Sequence, residues 1–297
     1  MGCSTSGLKR RSSSSARGSG PSGSGEPTSS PPAVGAMGCS TSASTSEVKM
    51  KASLSRTLSS LSQPGVVRLR PDDEEEVAQV CAAIWAESTL WNWVLGPHLN
   101  AEDPLRLEIL KCVARNVFLE GLQTGGFALG YRSGGTLKAV CITSRGKAGY
   151  GWAGQKMHAA VGRIKSVWET PCWKTPAGAV GKGIDKRLQS LWRFRDVPEV
   201  KRAVGEHINI SCLVCETKEK GRWYKAKLLE AVSVVADSLE LPCYMVLSNS
   251  SDLDYYRAFC FSEYGPFEVG PTTGTYGDDE TEPLKDVFAL IRPATRL

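Results

Sequence analysis

The residues best suited to chemistry lie close together, between His207 and Tyr256. Glu216 follows an apolar run, and a turn rich in lysine and arginine, 217–225, comes directly after it. Tyr255 and Tyr256 stand further along the chain. A carboxylate or an imidazole can accept a proton and a phenol can give one, while cations at a helix N-terminus suit phosphate. These residue types are suited to acid–base chemistry.

The elements around these residues follow a strand–turn–helix–strand order. The apolar run Ile208–Cys215 predicts a buried strand, and the second strand is predicted over Tyr244–Leu247. Between them, apolar residues recur at helical spacing, and Pro242 closes the helix; the stripe consists of Leu228, Val232, Val235, Ala236 and Leu239. This is a βαβ unit, so the two strands should be parallel neighbours.

The order and spacing resemble the GNAT family of acetyl-CoA-dependent N-acetyltransferases. The family strand is followed by a turn of the type Gln/Arg-Gly-Lys-Gly-Ile-Gly and then Ser-Ala-Leu-Leu. Here Leu213-Val214-Cys215 precede Lys220-Gly221-Arg222-Trp223-Tyr224-Lys225, aligned on Leu228-Leu229. The family's tyrosine, three residues, glycine and phenylalanine correspond to Tyr256–Phe261. The resemblance covers most of the chain after about residue 64.

The resemblance implies an α/β (α+β) fold with a GNAT-type mixed sheet, in the order β-α-α-β-β-(helical insertion)-β-α-β-α-β-β. Val66–Leu69 is predicted as the first strand, and two helices follow it. The runs Phe127–Tyr131 and Leu137–Thr143 flank a Gly-Gly turn and predict a hairpin. The insertion, residues 145–205, is basic and carries two helical patterns; a solvated helix face is favoured over an acidic-ligand surface.

The resemblance also implies roles at the site. The backbone of Leu213, Val214 and Cys215 would pair with the pantetheine arm of acetyl-CoA. The turn residues would bind its pyrophosphate; they are Lys220, Gly221, Arg222, Trp223, Tyr224 and Lys225. Asn249 or Asp252 would hydrogen-bond the cofactor.

The same resemblance makes Tyr256 the acid that protonates the leaving sulfur, with Tyr255 as a competitor. Glu216 is the first candidate for the base that deprotonates an amine acceptor, and His207 is the alternative. The acceptor is a small-molecule or protein amine that the sequence does not identify.

Two departures from the family pattern leave two functions open. Trp223 and Lys225 replace the second and third family glycines, which let the backbone approach the pyrophosphate. Either the protein is an acetyltransferase in which cations replace the glycines, or it is a catalytically inactive GNAT-fold binding or regulatory protein. The two strands are expected to part after Cys215 and leave a groove for the thioester carrier. An indole in that groove would favour the second function.

The first 63 residues are predicted as a disordered Ser/Gly-rich tail before a GNAT-like domain, 64–297. Within this tail, only a brief amphipathic helix is expected, over Leu54–Leu61. The start, Met1-Gly2-Cys3-Ser4-Thr5-Ser6, matches a myristoylation signal at Gly2, with Cys3 as a palmitoylation site. The hexapeptide recurs from residue 37, which is interpreted as a small duplication in low-complexity sequence. Two lipid chains would anchor the protein stably, so a cytoplasmic protein held peripherally on a membrane is predicted.

The charge distribution and the cysteine spacing bear on two other classes of function, nucleic-acid binding and metal binding. The first 56 residues hold seven lysines or arginines and two glutamates, which accounts for the whole net charge of +5. The remainder is neutral overall, so a nucleic-acid ligand is not expected. Cys212 and Cys215 form a Cys-x-x-Cys, but strand alternation points them to opposite faces and no second pair follows. No metal site is predicted.

Overall fold

The computed structural model describes residues 45–61, 63–96, 99, 103–146, 187, 190–191, 200, 204–216, 220–270 and 282–295. All of these residues belong to one compact unit. The predicted acylation signal and most of the insertion 145–205 lie outside the described residues. Within the insertion, residues 187, 190, 191, 200 and 204 are helical.

Seven strands of the described residues form one mixed sheet in the order β1-β2-β3-β4-β5-β7-β6. Their bounds are β1 Val66–Arg68, β2 Ala128–Ser133, β3 Thr136–Gly146, β4 His207–Cys215, β5 Cys243–Leu247, β6 Ser262–Val269 and β7 Leu284–Arg292. All neighbours are antiparallel except β4 and β5, which are parallel. The predicted parallel pair is therefore present at the centre of the sheet.

Six α-helices of the described residues cover the two faces of the sheet. Their bounds are α1 Thr45–Ser60, α2 Glu74–Trp85, α3 Thr89–Leu95, α4 Pro104–Gln123, α5 Gly221–Ser238 and α6 Leu253–Arg257. Short 3-10 turns precede α2 at Pro71–Asp73 and α6 at Ser250–Asp252. Helix α4 begins at Pro104, because Asp103 accepts a hydrogen bond from the Leu105 N–H at 2.8 Å and Pro104 fits the first helical position.

Each face of the sheet buries its own apolar cluster. On one face, α2 and α4 pack on Val140, Ile142 and Val214. On the other face, α5 packs on Cys141 and Ile208. The predicted α5 stripe is confirmed at Leu228, Val232, Val235 and Ala236, which are at most 1% exposed. The sheet is thus enclosed between two helical layers, and its strand ends are left to build a site.

Helix α1 was predicted only as a brief stretch over residues 54–61, inside a disordered tail. The structure shows a 16-residue helix, Thr45–Ser60. Leu58 is buried against the α5 side of the sheet, and Thr57 Oγ1 lies 3.1 Å from Ser238 Oγ on α5. The tail prediction is corrected here: the packed region begins before residue 64.

Candidate functional site

The two parallel strands part soon after they meet. Strands β4 and β5 pair only at Ile208↔Cys243 and Asn209↔Tyr244, although β4 continues to Cys215 and β5 to Leu247. The sequence predicted a parting after Cys215; the structure places it earlier, just after Asn209. We call the space between the diverging ends of β4 and β5 the slot.

A β-bulge on β4 accompanies the parting. On β3, Ile142 pairs with Cys212 and Thr143 pairs with Ile210, so Ser211 is the extra residue. A bulge bends its strand and increases the local twist. The bulge therefore lies where β4 turns away from β5, next to the last β4–β5 pair.

Strand alternation shows which main-chain groups of β4 face the slot. The Glu216 N–H donates to the Lys138 carbonyl on β3 at 3.0 Å. Because N–H and C=O groups alternate sides along a strand, those of Leu213 and Cys215 point toward the slot, and those of Val214 point toward β3. Leu213 and Cys215 thus offer a free strand edge. The role predicted for the Val214 backbone is corrected, because that backbone pairs with Val140.

The N-terminus of α5 is pressed against the end of β4. A Cβ atom on Gly221 would lie 2.0 Å from the Glu216 carbonyl oxygen, so only glycine fits there. The first intrahelical bond runs from the Tyr224 N–H to the Lys220 carbonyl. No described acceptor meets the three N–H groups before it, and the Lys220 and Arg222 side chains are exposed beside them. This helix tip suits an anion, since orphan N–H groups, the helix dipole and two cations converge there.

Trp223 and Tyr224 lie away from the slot. The Tyr224 ring is buried and stacks on Tyr131 of β2, with ring centroids 4.7 Å apart. The Trp223 and Tyr131 rings are T-shaped, with their centroids 5.2 Å apart, and Trp223 is 49% exposed. Strand β2 lies on the opposite side of β4 from β5, so the indole does not fill the slot. Neither aromatic side chain therefore lines the slot.

Lys225, the other departure from the family pattern, does point into the slot. Its Nζ lies 5.3 Å from the ring centroid of Tyr255 and 5.6 Å from that of Tyr256. The same ammonium is 3.5 Å from Asp252 Oδ2 in the turn before α6. Because α5 follows β4 and α6 follows β5, Lys225 reaches from one side of the slot to the other.

The two neighbouring tyrosines have different surroundings. The Tyr255 hydroxyl donates to the Arg222 carbonyl at 3.0 Å and so joins α6 to α5. Tyr256 is 3% exposed, and no hydrogen bond joins its hydroxyl to another described residue. Burial raises the pKa of Tyr256 well above the ordinary phenol value, with a smaller contribution from the Asp252 carboxylate. Tyr256 therefore keeps its proton at neutral pH, and its hydroxyl is the one left without a structural partner.

The predicted base has a structural partner on the sheet. Glu216 Oε1 accepts a hydrogen bond from Lys138 Nζ at 2.8 Å, an ion pair between β4 and β3. The carboxylate thus lies on the β3 side, away from the slot, and the structure gives no support to its role as base. Asn249 caps the turn before α6 by accepting from the Ser251 N–H at 3.0 Å, so its side chain serves local structure.

Comparisons with known proteins bear on the fold. No protein-family model matches the sequence, and no curated protein matches it. Among solved structures, a polyamine N-acetyltransferase from Drosophila melanogaster, which forms N-acetylagmatine, is 13% identical with a TM-score of 0.53. The match covers 77% of this chain and 98% of that one. An agmatine N-acetyltransferase is also 13% identical, with a TM-score of 0.53 over 77% and 99% of the two chains. The chain has the GNAT fold.

Within this GNAT fold, the sequence reasoning missed a polar cluster at the bulge. Asn209 Nδ2 donates to Ser144 Oγ at 2.9 Å and to Ser211 Oγ at 2.6 Å, and the two hydroxyls are 3.1 Å apart. Asn209 is 3% exposed and pairs with Tyr244 across the last β4–β5 pair. The cluster lies on the sheet face opposite α5. Its only signal in the sequence was the polar Asn209 and Ser211 inside an apolar strand.

His207, the alternative base, lies on the same face as this cluster. Its Nδ1 is 3.0 Å from the Gly205 carbonyl oxygen, and its ring is T-shaped to that of Tyr244, with centroids 5.6 Å apart. The imidazole is 8% exposed and sits over Gly146, where a Cβ atom would lie 2.1 Å from Nε2. It is therefore a packed residue at the start of β4, two positions before Asn209.

The Cys-x-x-Cys residues separate as predicted. Cys212 belongs to the cluster under α2 and α4, with its sulfur 3.8 Å from that of Cys81, while Cys215 packs on the α5 side. Among the described residues, no group of three or more ligand-type side chains could hold a metal ion. No helix in the described ranges combines the length and the apolar character needed to cross a bilayer.

Proposed function

We propose that this protein is an acetyl-CoA-dependent N-acetyltransferase that acts on a small amine. One observation carries the proposal: the slot opens between β4 and β5 with a partnerless phenol, Tyr256, on one side and a free strand edge on the other. The solved structures of the same fold cited above are named for acetylation of polyamines and of agmatine. A small aliphatic amine is therefore the first acceptor class to test.

In this proposal, the parts of acetyl-CoA would lie in order along the slot. The helix tip, with Lys220, Arg222 and three N–H groups, would hold the pyrophosphate. The free edge at Leu213 and Cys215 would pair with the amide groups of the pantetheine arm, as an added strand does. Gly221 keeps the helix tip close enough to β4 for one ligand to reach both.

The reaction needs a proton to leave the amine and a thiolate to leave the carbonyl carbon. The amine lone pair forms the new C–N bond, the C–S bond breaks, and its electron pair stays on sulfur. Tyr256 would donate a hydrogen bond and then its proton to that sulfur. On the sheet face opposite α5, the cluster of Ser144, Asn209 and Ser211 would orient the amine. A water molecule there would take the amine proton, because Glu216 is paired with Lys138 and does not reach the slot.

The test has a binding arm and a turnover arm. Acetyl-CoA should bind in isothermal titration calorimetry, and thiol release should rise with agmatine, polyamines or arylalkylamines. Tyr256→Phe should lower kcat about 100-fold while Kd changes less than about twofold, because a general acid acts only in the reaction. Tyr264→Phe on β6 is the matched control and should change neither. A wild-type protein that shows no heat with acetyl-CoA contradicts the proposal.

A second function is favoured by one observation, the presence of Lys225 across the slot where the family has glycine. In that function the protein binds a phosphorylated ligand at the helix tip and does not transfer an acyl group. Binding of acetyl-CoA without thiol release, for every amine class tested, would support it over the enzyme.

We also propose that Gly2 is myristoylated and Cys3 palmitoylated, which would hold a cytoplasmic protein peripherally on a membrane. The support is the sequence Met1–Ser6 with three basic residues at 9–11. Co-expression with an N-myristoyltransferase should add the mass of one myristoyl chain to the wild type and none to Gly2→Ala. Gly38→Ala, in the second copy, is the control and should keep the added mass.

A further inference from the structure

Lys225 lies apart from the other cations of its turn. Its side chain is 14% exposed, whereas that of Arg222 is 76% exposed at the helix tip. It is the fifth residue of α5, more than one turn inside the helix. Its ammonium lies beside the two tyrosine rings of α6, next to the phenol proposed as the acid. Lys225 therefore lies beside the proposed acid, whereas Arg222 lies at the helix tip.

The groups that surround this ammonium leave much of its charge unneutralised. The charged and titratable residues around it on β4, α5, the 3-10 turn and α6 are Cys215, Arg222, Asp252, Tyr255 and Tyr256. Glu216 pairs with Lys138, and Asp252 divides its two oxygens between Lys225 at 3.5 Å and Arg222 at 3.7 Å. Burial raises the pKa of the Cys215 thiol, and the nearby charge of Lys225 opposes that shift. An anion forming beside Cys215 would be stabilised by the same charge.

We propose that Lys225 contacts the sulfur of the thioester and stabilises the thiolate as the C–S bond breaks. The inference rests on the proposed function. The electron pair of the C–S bond remains on sulfur, and Tyr256, not Lys225, supplies the proton that sulfur later gains. Such a cation is needed because burial makes Tyr256 a weak acid. The ammonium lets the thiolate leave before the phenol proton is fully transferred.

The test titrates the thiol of free coenzyme A bound to the full-length protein, followed by the ultraviolet absorbance of the thiolate. In the wild type, the pKa of the bound thiol should fall by about one unit or more, which is a tenfold larger thiolate fraction. Lys225→Met should abolish that fall and Lys225→Arg should keep it. Asp252→Asn removes the competing carboxylate and should lower the thiol pKa further.

Lys227→Met is the matched control. Lys227 is on the same helix, but its Nζ lies 5.9 Å from the Trp223 ring and pairs with Glu230, on the side away from the slot. This variant should titrate like the wild type.

Three results would overturn the inference. If coenzyme A does not bind the wild type, both the proposed function and the role of Lys225 fall. If it binds but its thiol titrates identically in wild type and Lys225→Met, only the role of Lys225 falls. If Lys225→Met no longer binds coenzyme A while Asp252→Asn leaves the thiol pKa unchanged, Lys225 holds the phosphates and the sulfur contact is excluded.

Discussion

Replacing Gly221 with alanine tests whether the contact between α5 and β4 builds the site. The new Cβ would lie 2.0 Å from the Glu216 carbonyl oxygen and 3.3 Å from Cys215 Sγ. The first neighbour is main chain and cannot rotate away, so helix and strand must separate by more than about 1 Å to restore ordinary contact. Alanine is more favourable than glycine in a helix by at most about 1 kcal/mol, while such overpacking costs about 1–3 kcal/mol. The overpacking should dominate, giving a net destabilisation of about 1–2 kcal/mol.

The assay is urea unfolding combined with titration of acetyl-CoA. Gly221→Ala should unfold at lower urea, and its affinity should fall about tenfold or more, because the helix tip is displaced from the free edge of β4. Gly270→Ala is the control: its Cβ would meet Pro283 at 3.6 Å, an ordinary contact, so stability and affinity should stay unchanged. If the two variants behave alike, the close approach at Gly221 does not determine the geometry of the slot.

Three further perturbations have definite expected outcomes. Burial alone would raise the pKa of Asp237, but hydrogen bonds from Arg292 and from a main-chain N–H, with the Arg292 charge, outweigh burial and lower it. Asp237→Asn should therefore lower the free energy of unfolding by about 2–4 kcal/mol at neutral pH. The difference from wild type should shrink as the pH falls below the pKa of an aspartate in the unfolded chain, about 3.9. A difference in urea unfolding that is constant from pH 7 to pH 3 would contradict this. Trp223→Ala should change the acetyl-CoA Kd less than about threefold in calorimetry, because the indole packs on β2; a hundredfold loss would place the ring at the ligand. Leu58→Ala should lower the free energy of unfolding by about 2 kcal/mol, measured in urea, since this side chain fixes α1 to the domain; an unchanged midpoint would mean that α1 contributes nothing.

The sequence was most informative where one element's own pattern decides its structure. The apolar run of β4, the stripe on α5 and Pro242 placed the central βαβ unit correctly, because each signal is local. The position of the parting was predicted too late, since it depends on the bulge at Ser211, and that bulge arises from pairing with β3. The partner of Glu216 was not foreseen for the same reason: Lys138 is adjacent only after β3 and β4 have paired.

The two residues that replace family glycines show why a motif alone cannot decide function. Residues two apart on an α-helix are related by a rotation of about 200°, since each residue turns about 100°, so their side chains point to nearly opposite sides. Trp223 faces β2, so Lys225 must face β5 and α6, as its contacts with Tyr255 and Asp252 show. Trp223 leaves the slot open although its side chain is large, because the ring points away from it. Lys225 places a positive charge inside the slot. The turn should therefore be judged by the direction of each side chain and not by the number of glycines it retains.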